Sequence, residues 1–367
     1  MSALPRIAPR PPPPAARPGP AARVMICDDS LVIRSAIARI LSADPAIDVV
    51  AKVGNGQAAV DEMRRTPVDV VVLDIEMPVM DGMTALPLLL RADPGVCVIM
   101  ASTLTTRGAD IAMRALRLGA ADYVPKPSTI GTNSDAEFSQ ELLAKVKGLA
   151  RRRRGAAQAT VAERGIALRP SPTLPARLLA IGSSTGGPQA LFTLFQGLGR
   201  TVPVPVVVTQ HMPATFTPIL ADHITRLGYM PCAEAKDGEP LLPGKAYLAP
   251  GDRHLLVEGN RAALRTRLTT DPPENFCRPA VDPMLRSAAA ACDGRVLVTI
   301  LTGMGHDGLD GTKRVIEAGG CAIGQDEATS IVWGMPGAVA QGGLCHAVLP
   351  LPKIAPRLLE LLKGVRS

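Results

Sequence analysis

The sequence predicts an α/β protein of two doubly wound parallel-sheet domains joined by a linker. Three observations carry this. The chain has 367 residues, more than one average core accommodates. Nearly half of them, 47%, are apolar while only 2% are aromatic, which suits aliphatic strands packed under helices. Short aliphatic runs alternate with segments of helical period twice, across residues 22–147 and again across 177–367, with a stretch at 148–176 that breaks the pattern.

In the first half, "ARVMICDDS" reads as a buried strand and "LVIRSAIARIL" as an amphipathic helix. "DVVAKVGN" follows as a second strand, and "VDVVVLDIEMPVMDG" as a third that ends in an acidic, Gly-terminated loop. "PGVCVIMAST" and "ADYVPKP" supply the fourth and fifth. The basic, Ala-rich start of "GLARRRRGAAQATVAERGIALRPSPTLPA" extends the last helix, and its Pro/Ser end reads as linker. The second half resumes with "RLLAIGSS", "PVPVVVTQHM", "KAYLAP", "RVLVTILTGMG" and "CAIGQD". No repeat at solenoid periods is present. In such sheets the loops at the carboxyl ends of the strands gather the ligand site.

Composition narrows the function classes. The formal net charge of +7 is inflated by the ends and by the run "RRRR" at 151–154, which reads as a solvated linker or helix end; no nucleic-acid partner is expected. Seven cysteines, an odd number with no C-x-x-C pair, point to free thiols in a reducing compartment. No apolar run approaches the length of a membrane span. Residues 1–21 are Pro-rich with no apolar core of a signal peptide, so an unstructured lead-in and a cytoplasmic location are expected.

Acidic residues fall at strand ends in the first half: Asp28 and Asp29 after the first strand, Asp74 after the third. Crowded carboxylates in one pocket are costly unless a hard cation such as Mg²⁺ neutralises them. Ser102 after the fourth strand and Lys126 after the fifth suit phosphate oxygens, with Asp74 as the acceptor. Singly, an Asp ending a strand is more often a helix cap. Together, "DDS", "LDIEMPVMDG", "MAST" and "DYVPKP" resemble a two-component response-regulator receiver, a flavodoxin-like fold. That resemblance implies phosphorylation of Asp74, Mg²⁺ held by Asp28, Asp29 and Asp74, and relays by Ser102 and Tyr123.

In the second half, "LLAIGSSTGGPQAL" satisfies G-x-S-x-G with Ser184 central, in a strand–turn–helix context. Gly-rich turns of this kind also cradle phosphates, but the loop has no P-loop lysine and no third dinucleotide-binding glycine at its spacing. A serine hydroxyl needs a base. All five histidines lie in this half: His223 reads as a surface position on an amphipathic helix, His254 as a turn residue and His346 as near a late strand. His211 ends an aliphatic strand expected beside that of Ser184. An orienting carboxylate is expected at Asp307, in the Gly-flanked "TGMGHDG", with Asp310 as its rival, while His306 is the rival of His211 as base.

"AIGSSTGGPQA", "TQHMP", "PGDRH", "ILTGMGHDG" and "WGMPGAV" resemble the catalytic domain of chemotaxis protein-glutamate methylesterases of the CheB type, which also carry an N-terminal receiver. The resemblance implies a Rossmann-like domain and a Ser184–His211–Asp307 triad, with Thr185 and the Met304 backbone beside the oxyanion. It implies hydrolysis of γ-glutamyl methyl esters and deamidation of glutamines on methyl-accepting receptors, a CheA-type histidine kinase as phosphodonor, and no cofactor in the catalytic domain. Two departures stand out: His306 where many relatives carry a small or polar residue, and Ala280 where a serine is expected.

Overall fold

The computed structural model describes residues 21–102, 105–126, 134–155, 165–170, 175–200, 202–260 and 263–363. Nearly all of the Pro-rich lead-in, Pro127 and much of the linker lie outside these residues.

The first half alternates β1 (Ala22–Cys27), α1 (Leu31–Ser42), β2 (Ile47–Val53), α2 (Gly56–Met63), β3 (Val70–Asp74), α3 (Gly82–Ala92), β4 (Cys97–Ser102), α4 (Thr106–Arg117), β5 (Asp122–Pro125) and α5 (Ser134–Gly155). Its five strands form one parallel sheet in the order β2-β1-β3-β4-β5. Strands β3 and β4 are buried along their whole length, as aliphatic strands covered by helices on both faces must be. Helix α5 runs through "GLARRRRG", so the first eight residues of the expected linker are helical.

The second half opens with β6 (Leu178–Ser183), α6 (Gly187–Leu198), β7 (Val206–Gln210), α7 (Thr217–Arg226), β8 (Cys232–Glu234) and β9 (Ala246–Leu248). A hairpin of β10 (His254–Gly259) and β11 (Leu264–Thr269) follows, then α8 (Val281–Ala291), β12 (Val296–Ile300), α9 (Leu309–Glu317), β13 (Cys321–Gln325), α10 (Met335–Gln341), β14 (Ala347–Leu349) and α11 (Leu351–Leu362). Seven strands make a parallel sheet in the order β14-β13-β12-β6-β7-β9-β8. The antiparallel β10–β11 pair stands outside it and was not expected from the alternation. Its strand β11 alternates buried and exposed residues, the pattern of a ribbon covered on one face only.

The site sits where strand order reverses. The chain enters the sheet at β6, runs to β7 on one side, and returns to β12 on the other. The carboxyl ends of β12, β6 and β7 are therefore three neighbours in a row, the crevice in which doubly wound sheets bind ligands.

Candidate active site

Ser184 follows β6 directly and His211 follows β7 directly. Parallel register pairs Ser183 with Gln210, and His211 N–H donates to Ser183 O at 3.1 Å, so the two residues leave the sheet side by side. Gln210 fixes both: its Nε2 donates to Ser184 O (2.9 Å) and to His211 O (3.0 Å), while Ser183 Oγ donates to its Oε1 (2.7 Å). A Cβ at Gly187 would collide with this amide, which is why the turn needs glycine there. Gly186 takes a left-handed φ of 74° to send the chain into α6. Ser184 N–H donates to Thr302 O at 3.0 Å, tying the loop to the end of β12.

Asp307, in the loop after β12, reaches His211: Oδ2 lies 2.7 Å from Nε2. The carboxylate is buried and also accepts from Val281 N–H (2.6 Å), Asp282 N–H (3.0 Å), Gly308 N–H (2.9 Å) and Asn275 Nδ2 (3.0 Å). The first two donors are the opening amides of α8. Ala280, the residue at its N-cap, offers no side-chain cap, and Asp307 supplies the anion that the helix terminus favours. That accounts physically for an alanine where a serine is expected. Burial alone would raise the Asp307 carboxyl, but the hydrogen bonds from His211 and the α8 amides hold it below its ordinary value. Burial would likewise lower His211, yet Asp307 and Cys277 hold its pKa up to about 10. Asp282, bridged to Asp307 through Asn275 Nδ2, is raised by burial and by the Asp307 charge to about 6.

The structure thus makes one link of the expected chain, His211 to Asp307, and leaves the link from Ser184 to His211 open. Ser184 Oγ has no hydrogen-bond partner among the described residues, and His211 Nδ1 faces Cys277 Sγ at 3.3 Å. The N–H groups of Thr185 and Met304 have no acceptor among the described residues, and Gly303 packs against Ser184 so closely that a Cβ would lie 2.9 Å from Ser184 Cβ. His306 is exposed and Asp310 lies in the first turn of α9. His223 is not a surface residue: it is buried, and its Nε2 lies 3.1 Å from Asp110 Oδ1 of the receiver's α4. The face read as solvent-exposed is covered by the other domain. His254 is the buried first residue of β10 rather than a turn residue, and its Nδ1 accepts from Ala280 N–H at 3.1 Å. Gln210, Asn275, Cys277 and Asp282 had no signal in the sequence beyond their neighbours' motifs.

In the receiver, Asp28, Asp29 and Asp74 place carboxylate oxygens within 4.8 Å of one another. Lys126 Nζ lies 2.7 Å from Asp28 Oδ2 and 2.7 Å from Asp74 Oδ1. Burial raises the Asp74 carboxyl, with the Asp28 charge adding to it and Lys126 opposing. An all-oxygen, partly buried set with excess negative charge fits a hard divalent cation such as Mg²⁺. Ser102 is buried at the end of β4, beside the strand of Asp74. Tyr123 is buried on β5 with its ring stacked on Phe216 of the second domain, centroids 4.7 Å apart.

Fold and site define a receiver joined to an α/β domain with hydrolase-like strand-end chemistry. Residues 24–133 match the response regulator receiver domain family and residues 179–358 the CheB methylesterase family. A protein-glutamate methylesterase/protein-glutamine glutaminase of group 2 operon from Rhodospirillum centenum is 56% identical over 92% of this chain and 93% of its own length. A protein-glutamate methylesterase/protein-glutamine glutaminase from Azospirillum brasilense is 54% identical over 95% and 96%. The crystal structure of the Thermotoga maritima CheB methylesterase catalytic domain covers 51% of this chain and all of its own, at 40% identity and a TM-score of 0.50. The chain belongs to the CheB methylesterase family. That membership disfavours the alternative of a nucleotide-binding module built on the GSSTGG loop.

Proposed function

We propose that this chain is a phosphorylation-activated protein-glutamate methylesterase and protein-glutamine glutaminase, in which Ser184 is the nucleophile, His211 the base and Asp307 its orienting acid. The single observation that supports the residue assignment is the 2.7 Å contact between His211 Nε2 and Asp307 Oδ2, one strand away from Ser184. With Nε2–H donated to Asp307, neutral His211 carries its lone pair on Nδ1. Ser184 Oγ attacks the γ-carbonyl carbon of a methylated glutamate and its proton passes to Nδ1. Thr185 and Met304 N–H groups stabilise the tetrahedral oxyanion. The ester C–O bond then breaks, methanol leaves with the proton from His211, and water hydrolyses the acyl-serine to free glutamate. For a glutamine, ammonia leaves instead.

The receiver supplies control. Asp74 takes a phosphoryl group from a histidine kinase of the CheA type, while Ser102 and Lys126 meet the phosphate oxygens. Asp28, Asp29 and Asp74 are the residues that hold Mg²⁺, whose charge offsets that of the phosphoryl group when bound. The substrates are methyl-accepting chemotaxis receptors. Seven free cysteines suit a reducing cytoplasm, and no helix among the described residues is long and apolar enough to cross a membrane.

The test is methanol release from methylated receptor by the full chain, with and without a small phosphodonor and Mg²⁺. Ser184→Ala is expected to abolish release while receptor binding persists. Turnover retained by that variant overturns the nucleophile assignment.

A further inference from the structure

Cys277 differs from every other thiol in the chain. The other six are buried, and burial pushes Cys27, Cys232, Cys292, Cys321 and Cys345 up to about 11 or 12, so they remain protonated thiols. Cys277 is half-buried, with Sγ 3.3 Å from His211 Nδ1. That nitrogen is the one left for Ser184, because Asp307 occupies Nε2.

The loop that presents this thiol is built with some strain. Asn275 and Phe276 both take left-handed φ values, 52° and 63°. A phenylalanine there costs energy that its side chain does not recover, since Phe276 is fully exposed. The loop is closed by reciprocal backbone hydrogen bonds between Glu274 and Cys277, at 3.1 and 2.9 Å. Arg286 grips Glu274 with two hydrogen bonds, at 2.5 and 2.7 Å. Asn275 anchors the other side on Asp282 and Asp307. Six hydrogen bonds therefore hold a strained turn in the one place where its cysteine meets the imidazole.

We propose that Cys277 is a positioning residue for the base: its thiol holds His211 Nδ1 in the resting enzyme, in competition with Ser184, and a small peroxide that captures this thiol switches the esterase off. The inference rests on the reading of His211 as base.

The oxidation balances with the groups at hand. Neutral His211 takes the thiol proton on Nδ1, and the thiolate attacks one peroxide oxygen. The S–O bond forms as the O–O bond breaks, and the leaving hydroxide recovers the proton from the imidazolium and departs as water. Sulfur is oxidised by two electrons to a sulfenic acid and the peroxide is reduced. Two equivalents of a small thiol return Cys277 to the reduced form, with one disulfide and one water as products.

The full chain is treated with hydrogen peroxide, and each variant is compared with its own untreated methanol release. Wild type is expected to lose on the order of tenfold or more of its activity and to regain it with dithiothreitol, whereas Cys277→Ala and Cys277→Ser keep theirs. Untreated Cys277→Ala is expected to show kcat raised about two- to fivefold at unchanged KM, with Cys277→Ser, which keeps a hydrogen-bonding group, near wild type. Equal peroxide sensitivity in the variants, or a lowered kcat in Cys277→Ala, overturns the proposal. Independently of turnover, mass spectrometry follows iodoacetamide capture of each cysteine. Cys277 is expected to react about tenfold faster than the buried six and to lose that advantage in His211→Gln. Capture that ignores His211 refutes the pairing. Absent methanol release with intact capture kinetics would instead count against the esterase reading.

Discussion

Asp122, the first residue of β5 in the receiver, accepts a hydrogen bond from the N–H of Gly186 in the Ser184 loop, 3.1 Å from its Oδ2. The same strand carries Tyr123, stacked on Phe216, and leads to Lys126 between Asp28 and Asp74. Burial raises the Asp122 carboxyl, and Lys145, 3.2 Å away, opposes that. Ile331 completes the junction: it packs into the receiver core and its side chain lies against Gly186. A change at the phosphorylation pocket that moves Lys126 therefore acts on a strand already bonded to the loop that carries Ser184.

Asp122→Asn keeps the shape of the side chain and removes the charge from this bond. A hydrogen bond to a charged group contributes about 1.5–3 kcal/mol. The unphosphorylated full chain is expected to gain activity, by up to about tenfold, while phosphodonor and Mg²⁺ stimulate it less than they do wild type. Methanol release with and without phosphodonor measures both. Unchanged basal activity, with the variant folded by circular dichroism, would show that the bond does not restrain the loop.

The acid limb of activity follows from the His211–Asp307 pair. As the proposed base, His211 works only when neutral, and its pKa is held up to about 10, well above the ordinary 6.5, by Asp307 and Cys277 against burial. A raised pKa keeps the imidazolium to higher pH, so kcat/KM is expected to keep rising with pH through neutrality and to level off only in the alkaline range. Asp307→Asn removes the chief cause of the shift, and the limb is expected to move down. The rate is expected to fall by about 10³–10⁴, because the carboxylate no longer fixes the tautomer. A pH–rate profile of both proteins reads both effects.

Much of this was legible in the sequence because parallel sheets convert strand order into geometry. Once Asp28, Asp74 and Lys126 are placed at strand ends, the doubly wound rule brings them to one edge, and their 2.7 Å contacts follow. The same rule puts Ser184, His211 and Asp307 in the loops that follow three neighbouring strands. His223 and Asp122 were not legible, because each is buried where it meets the other domain, and no periodicity records which face a second domain covers. Nor was the 274–278 turn, whose Asn275 and Cys277 reach the site from a segment with neither strand nor helix period. Motif spacing pointed to the three residues; it could not show that Cys277 Sγ lies 3.3 Å from His211 Nδ1.

The receiver pocket makes a stability prediction. Asp74 sits with Asp28 against a single Lys126, and its carboxyl is raised above the ordinary 3.8, first by burial. A carboxyl whose folded pKa is raised costs the protein stability as pH rises from its unfolded value through the folded one. Asp74→Asn removes that cost. The variant is expected to melt a few degrees higher in metal-free buffer, since about 1 kcal/mol moves a domain of this size by about 4 °C. Excess Mg²⁺ is expected to narrow or reverse the gap by stabilising wild type. The same variant is expected to take no phosphoryl group and to show no phosphodonor stimulation. Equal melting in both buffers would mean that Lys126 alone already balances the pocket.

Asn275 offers the sharpest separation of positioning from folding. Its Nδ2 donates to Asp307 Oδ1 and Asp282 Oδ2, at 3.0 and 2.9 Å, so one amide keeps two buried carboxylates apart. The residue also has a φ of 52°, which asparagine tolerates better than most residues with a Cβ. Removing the side chain therefore mixes two effects unless the backbone is spared. Asn275→Gly keeps the left-handed backbone at no steric cost and loses only the amide, whereas Asn275→Ala loses the amide and adds strain of about 1 kcal/mol. Both variants are expected to lower kcat by about tenfold with little change in KM, because Asp307 is less firmly aimed at His211 while no substrate contact is lost. Only Asn275→Ala is expected to melt lower by the full strain. Asn275→Asp would place a third carboxylate beside Asp282 and Asp307, and is expected to be the least active of the three at neutral pH. Steady-state kinetics beside thermal melts decide the matter: if Asn275→Gly keeps wild-type kcat, the amide serves the turn and not the acid.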